Sequence, residues 1–279
     1  VEWKQTAVDV ATLVFVVSSM LAMGLGLTVG QIVAPLRSLR LVILSLLANF
    51  VLMPIAAIGF ARLLRLDEAL GIGLLLLGAA AGAPFLPLLA QIAKSNLAFA
   101  VGLMVLLMVV TVGYLPVVLP LLLPGIAVDP MEIAKSLVLL MLLPLAIALG
   151  VQAKLPSVAA RLKPGLGKVS TVSLVLVIVL LTAFNIRSVL AVFGTGGILA
   201  GLLFLAAGYG VGWLLGGPEA DTRRVLGLGT AQRNIAAALV VAGQSFKDPN
   251  VVVMVVVVAI VGLLLLIPLS RALSKRGST

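Results

Sequence analysis

The chain has 279 residues, 62% of them hydrophobic and only 10% charged, with a mean hydropathy of +1.32; soluble domains, roughly half apolar and a quarter charged, cannot bury that much apolar surface. Its formal charge of +10 comes from 19 Lys and Arg against 9 Asp and Glu, yet the basic residues lie at helix ends and form no patch interleaved with aromatics, which excludes a nucleic-acid partner. Cysteine and histidine are both absent, which excludes disulfides, thiolate nucleophiles, Cys/His zinc sites and imidazole proton relays.

Apolar runs of about 20 residues, each enough to cross about 30 Å of hydrocarbon, recur along the chain with short connections. They predict an all-α polytopic protein with nine transmembrane helices and one carrier domain over 1–279, its partner the lipid bilayer. The first span, 7–27, has no A-x-A-like exit and reads as a true span, not a cleaved signal peptide. The second, 41–61, carries Asn49 ahead of Leu52-Met53-Pro54; its amide needs partners wherever it lies, either as lining of a site or as interhelical glue. The third, 69–93, crowds Gly78, Gly82, Pro84 and Pro87 near its middle, and because each proline removes a backbone donor, a break is expected there.

The fourth and fifth spans, 97–120 and 133–153, contain Pro116, Pro120 and Pro144, which with Pro54 mark kinks. The sixth is placed at 169–187. In the seventh, 194–215, and just beyond it, Gly208, Gly210, Gly212, Gly216 and Gly217 lack the strand and the Lys-Ser/Thr ending of a phosphate loop, so close helix packing is expected. The eighth, 225–245, opens with Gly227 and Gly229 and runs into Thr230, Gln232, Arg233 and Asn234; the ninth is 250–271. A guanidinium at mid-span costs about 3 kcal/mol on insertion scales, so Arg233 must face a partner or a wet cavity. It is the leading functional candidate, against the alternative of a structural plug bonded to broken-helix carbonyls. Gln91, Tyr114, Asn185 and Gln244 approach span ends and read as interfacial or helix-helix contacts.

Two interrupted spans in corresponding places point to a carrier site at the midplane. Spans one to four (about 7–120) and six to nine (about 169–271) match as two units, each broken in its third member; span five (133–153) connects them and inverts the second. With an odd number of spans the loops divide into two sets. One holds Arg37, Arg40, Lys94, Lys154, Arg161, Lys163, Lys168, Arg223, Arg224, Arg271, Lys275 and Arg276; the other holds Lys4, Arg62, Arg65, Lys135, Arg187 and Lys247. The positive-inside bias then puts the N-terminus outside and the C-terminus in the cytoplasm of a plasma (inner) membrane.

The order and spacing of MGLGLT at 23–28, ANFVLMP at 48–54, the Gly-rich break from Gly78, GYGVGWLLG at 208–216 and QRN at 232–234 resemble the bile acid:sodium symporter family. The likeness runs almost the full length and is to members lacking the first helix. It implies a core domain with two crossing unwound helices that rocks against a panel of spans one, five and six, and it implies an organic anion moved with sodium. Positions matching the family's first sodium site are Leu86, Pro87, Ala100, Met104 and Gly229, none with a side-chain oxygen; those matching the second are Gly229, Arg233 and Asn49, of which Asn49 alone is a plausible ligand. Sodium is a hard cation that needs several oxygens, as calcium and magnesium do, so no cofactor is expected and sodium coupling at these positions is disfavoured.

The expected function is transport of a small organic anion by alternating access, with Arg233 replacing a bound cation. The candidate substrate-binding set is Arg233, Asn234, Gln232, Asn49 and Thr230. All nine carboxylates (Glu2, Asp9, Asp67, Glu68, Asp129, Glu132, Glu219, Asp221 and Asp248) lie near helix ends, so none is placed to carry protons at mid-membrane. The alternatives are a symporter that binds sodium through other ligands and a non-transporting receptor or assembly subunit on the same fold. An enzyme is not expected, because no base, nucleophile or metal cluster can be assembled. Substrate identity and oligomeric state are left open.

Overall fold

The computed structural model describes residues 2–33, 38–123, 129–184, 186, 187, 192 and 194–275. It is 86% helical, with no strand among the described residues. Arg37 and Arg276 of the charge comparison, and Asn185, lie outside them.

Helix α1 spans Glu2–Gly24, and a short helix, Val29–Val33, follows it. Helix α2, Leu39–Leu63, widens into a π turn at Ala48–Leu52. Pro54 explains the widening: it has no N–H to return to the Phe50 carbonyl one turn back. That carbonyl instead accepts the Tyr114 hydroxyl at 2.5 Å, a helix-helix contact. The same device recurs in α6, Pro130–Lys154, where a π turn at Val138–Leu142 precedes Pro144.

The third expected span is divided into α3, Glu68–Ala79, and α4, Leu86–Ile92, joined by non-helical residues 80–85. Helix α5, Leu97–Leu122, returns across, started by the Asn96 side chain accepting the Phe99 N–H at 2.9 Å. After α6 come α7, Pro156–Phe184, and α8, Gly197–Leu215. The eighth expected span is divided into α9, Ala220–Ala231, and α10, Ile235–Ser245, and α11, Pro249–Lys275, closes the described chain.

Among the described residues, eight segments, with Ala220–Ser245 taken as one, are long and apolar enough to cross a bilayer. In the place of the expected third span, α3 and α4 are each too short to do so alone. One boundary needs correction. Helix α7 begins 13 residues before the expected 169, because Arg161, Lys163, Pro164 and Lys168 sit on exposed turns of a continuous helix instead of a loop. At about 1.5 Å per residue it is about 44 Å long, more than about 30 Å of hydrocarbon requires, so its first turns need not be apolar.

The helices associate in two groups. Helix α1 runs along α7 and packs on α6, while α2, α3, α4, α5, α8, α9 and α11 pack among themselves; α5 also packs on α6, and α7 touches α11. Helix α10 touches both groups, through α1 and α6 on one side and α3 and α11 on the other. Helix α8 approaches α9 at backbone contact: an added Cβ would lie 2.9 Å from Ala231 Cα at Gly208, 2.3 Å from the Leu226 carbonyl at Gly212 and 2.4 Å from Arg223 Cα at Gly216. A stripe of small residues at i, i+4 and i+8 is what permits that approach.

Candidate functional site

The two breaks meet. At the first, Gly82 adopts φ +80 and lies against α5, where a Cβ would come 2.2 Å from the Met108 amide nitrogen, so only glycine fits both the dihedral and the space. At the second, residues 232–234 leave the helix and Asn234 becomes the N-cap of α10, accepting the Ala237 N–H at 3.1 Å. The Asn234 backbone N–H donates to the Ala80 carbonyl at 3.0 Å, and its amide donates to the Ala81 and Gly82 carbonyls at 3.3 and 3.1 Å. One residue of the second break thus satisfies three carbonyls that the first break leaves without helical donors, as the bilayer interior demands.

Arg233 is 3% exposed and turns back toward the C-terminal ends of α3 and α9. Its Nε donates to the Leu77 carbonyl at 2.8 Å, Nη1 to Asn49 Oδ1 at 2.6 Å and to the Thr230 carbonyl at 3.1 Å, and Nη2 to the Gly78 and Asn49 carbonyls at 2.7 and 3.4 Å. A guanidinium has five N–H donors, and all five are used. Its partners are the negative ends of two half-helix dipoles and the widened turn of α2, none of them ionised. No N–H is left for a solute in this conformation. Asn49 completes the cluster by donating to the Ser45 carbonyl at 3.0 Å and to Thr230 Oγ1 at 3.2 Å.

Of the residues singled out from sequence, Arg233, Asn49, Thr230 and Asn234 therefore converge, with Gly78 and Gly82 supplying carbonyls. Pro87 stands in the first turn of α4 and Pro84 in the loop before it. Gln232 lies at the crossing and forms none of these bonds. Gly227 packs against the Tyr209 ring, and Gly229 faces Leu86.

Thr111 escaped the sequence reading. It is buried on α5, and its hydroxyl accepts the Ala81 N–H at 2.9 Å and donates to the Ala81 carbonyl at 3.0 Å, holding both backbone polar groups of one residue of the first break. A lone Thr in an apolar span carries no periodic signal, so nothing in the sequence marks it. Thr111→Val keeps the shape and removes both bonds; the expected loss is about 1–3 kcal/mol, read as a lower midpoint in thermal unfolding of the detergent-purified protein.

A profile of the Sodium Bile acid symporter family matches residues 13–192, more than half of the chain. The chain belongs to that family. It is therefore an integral membrane transporter of the bile acid symporter type, in a family of transporters and not of enzymes. No curated protein matches it. The matched stretch includes the first break and ends before Arg233.

Sodium, the ion in the family's name, does not fit the residues present. Leu86 is 1% exposed, Ala100 and Met104 are wholly buried, and a Cβ on Gly229 would lie 2.8 Å from Leu86 Cδ2 and 3.3 Å from Leu103 Cδ2. Hydrocarbon fills that space, where a hard cation needs oxygens. At the second set of positions Asn49 brings a side-chain oxygen, but the guanidinium already holds it together with the Asn49 carbonyl.

Proposed function

We propose that this transporter moves a small organic anion by alternating access, as a uniporter or exchanger, with the Arg233 guanidinium serving as a resident cation in place of sodium. The observation that carries the reading is its five-donor coordination. A permanent charge tied to Leu77, Gly78, Asn49 and Thr230 draws α2, α3 and α9 together, as a bound cation would, and does so in every cycle. A second cation a few Å away would be repelled by several kcal/mol in so low a dielectric.

The cycle follows from the helix packing. The two broken helices, one from each unit of the inverted repeat, are joined through Asn234 and would move together as a core against the panel of α1, α6 and α7. Helix α10 is in contact with both, so a solute gathered at this boundary would change sides as the boundary rocks. The net positive charge of the crossing favours anions at that boundary even though the guanidinium N–H groups do not reach it. The positive-inside count supports an N-terminus outside and a C-terminus in the cytoplasm. The assignment of Asn49, Thr230, Gln232, Arg233 and Asn234 to the site belongs to the same proposal, with Arg233, Asn49 and Thr230 holding the crossing rather than gripping solute.

One observation favours the second reading, a receptor or assembly subunit without transport: the cavity beside Arg233 measures only about 10 Å³, too small for an organic solute. Uptake into proteoliposomes separates the two. A panel of labelled bile-acid conjugates and short carboxylates is expected to include one taken up equally well with external sodium, with choline in its place, and with or without a pH gradient. Uptake that requires a sodium gradient overturns the resident-cation reading, and a silent panel favours the receptor.

A further inference from the structure

Arg233, Asn234, Asn49 and Thr230 are all engaged at the crossing, while Gln232 beside them is not. Gln232 bonds through its backbone N–H to the Leu228 carbonyl at 2.8 Å, but its side-chain amide has no hydrogen-bond partner among the described residues, although it is only 4% exposed. Left dry, such an amide costs about as much as a lost hydrogen bond or more. It borders a cavity of about 10 Å³, enclosed by Leu77 of α3, Leu205 of α8, Ile235 of α10 and Val258 and Ala259 of α11. That is room for one small sphere.

Three features of this wall share a sign. Arg233 lines the cavity and carries a charge that its five neutral acceptors do not cancel; the ion pair of Arg224 with Asp221 lies elsewhere. Helix α10, 11 residues long, starts on the same wall at Ile235, so the partial positive charge of its N-terminus lies beside the cavity, although the Ile235 and Ala237 N–H groups are engaged by the Arg233 carbonyl and Asn234 Oδ1. Gln232 adds two N–H donors with nothing to meet. A water would satisfy the amide and leave the charge uncancelled, whereas an anion satisfies both.

We infer that this cavity is a binding site for one monovalent anion of halide size, held by the Gln232 amide, the N-terminus of α10 and the field of Arg233, and walled by apolar side chains. It rests on Arg233 being a resident cation and not on what the transporter moves, so a failed uptake assay leaves it standing.

Thermal unfolding of the purified full chain in detergent tests it, with sodium chloride or bromide exchanged for sodium gluconate at constant ionic strength. Chloride and bromide are expected to raise the midpoint saturably while gluconate does not. Gln232→Leu is expected to lose that rise. Gln232→Glu, which puts a fixed negative charge in the cavity, is expected to melt in gluconate as high as the parent does in saturating chloride and to ignore added halide. Identical curves in chloride and gluconate mean that water alone occupies the space, and they overturn the inference. So does an undiminished halide response in either variant.

Discussion

Arg233→Gln is expected to lower anion uptake by more than tenfold and to cost about 3–5 kcal/mol of stability, the scale seen when one partner of a buried charged cluster is removed. The variant leaves carbonyls of Leu77, Gly78, Thr230 and Asn49 facing one another with too few donors. Two like-oriented helix ends then repel with no charge between them. Arg233→Lys is expected to recover the charge and only part of the stability, because an ammonium offers three donors where five acceptors are arranged around a planar fork. If the guanidinium stands in for a bound cation, added guanidinium or sodium should raise the melting midpoint of Arg233→Gln more than that of the parent. Unchanged uptake by a well-folded Arg233→Gln protein would count decisively against the role.

Gly82→Ala should be nearly as severe, and for a purely steric reason. At φ +80 an alanine pays roughly 1–2 kcal/mol for its backbone conformation, and its Cβ would sit 2.2 Å from the Met108 amide nitrogen and 2.6 Å from Met108 Cα, both backbone atoms of α5 that cannot turn aside. Overpacking of this kind adds about 1–3 kcal/mol. The expected outcome is a sharply reduced yield of monodisperse protein and a melting midpoint well below the parent's. Gly113→Ala, on the same α5 with open space around the added Cβ, is the matched control and should melt as the parent does.

These two positions show how unevenly the site is legible in the chain. Prolines and glycines are punctuation that acts through the residue itself, by a missing donor or a permitted dihedral, so Gly78, Gly82, Pro84 and Pro87 announce a break without knowledge of the neighbours. Arg233 announces itself by cost, since a charge inside an apolar run must be answered by something. What answers it is invisible. Four of the five bonds reach 155, 156 or 184 positions away, and four of the five go to backbone carbonyls, which every residue has. Thr111 and the Tyr114 bond to Phe50 were out of reach for the same reason: their significance lies in a carbonyl or amide that another helix has released. The start of α7 was misplaced because Lys, Pro and Gly usually mark a loop, while a helix that has left the hydrocarbon tolerates all three.

By itself the amino-acid sequence determined the solvent in which the chain folds, the placement of apolar spans, the two interruptions and the presence of one charge that the membrane could not accept unpaired. Those follow from hydropathy, from length against bilayer thickness and from the backbone chemistry of Gly and Pro, all of which are local. Only the tertiary structure decided that the guanidinium points at helix C-termini with every donor engaged, that Leu86 and Leu103 occupy the space beside Gly229, and that Gln232 is left facing a small cavity. Each of these depends on which helix ends are brought together where the two breaks meet, and a helix end exposes the same carbonyls whatever side chains it carries.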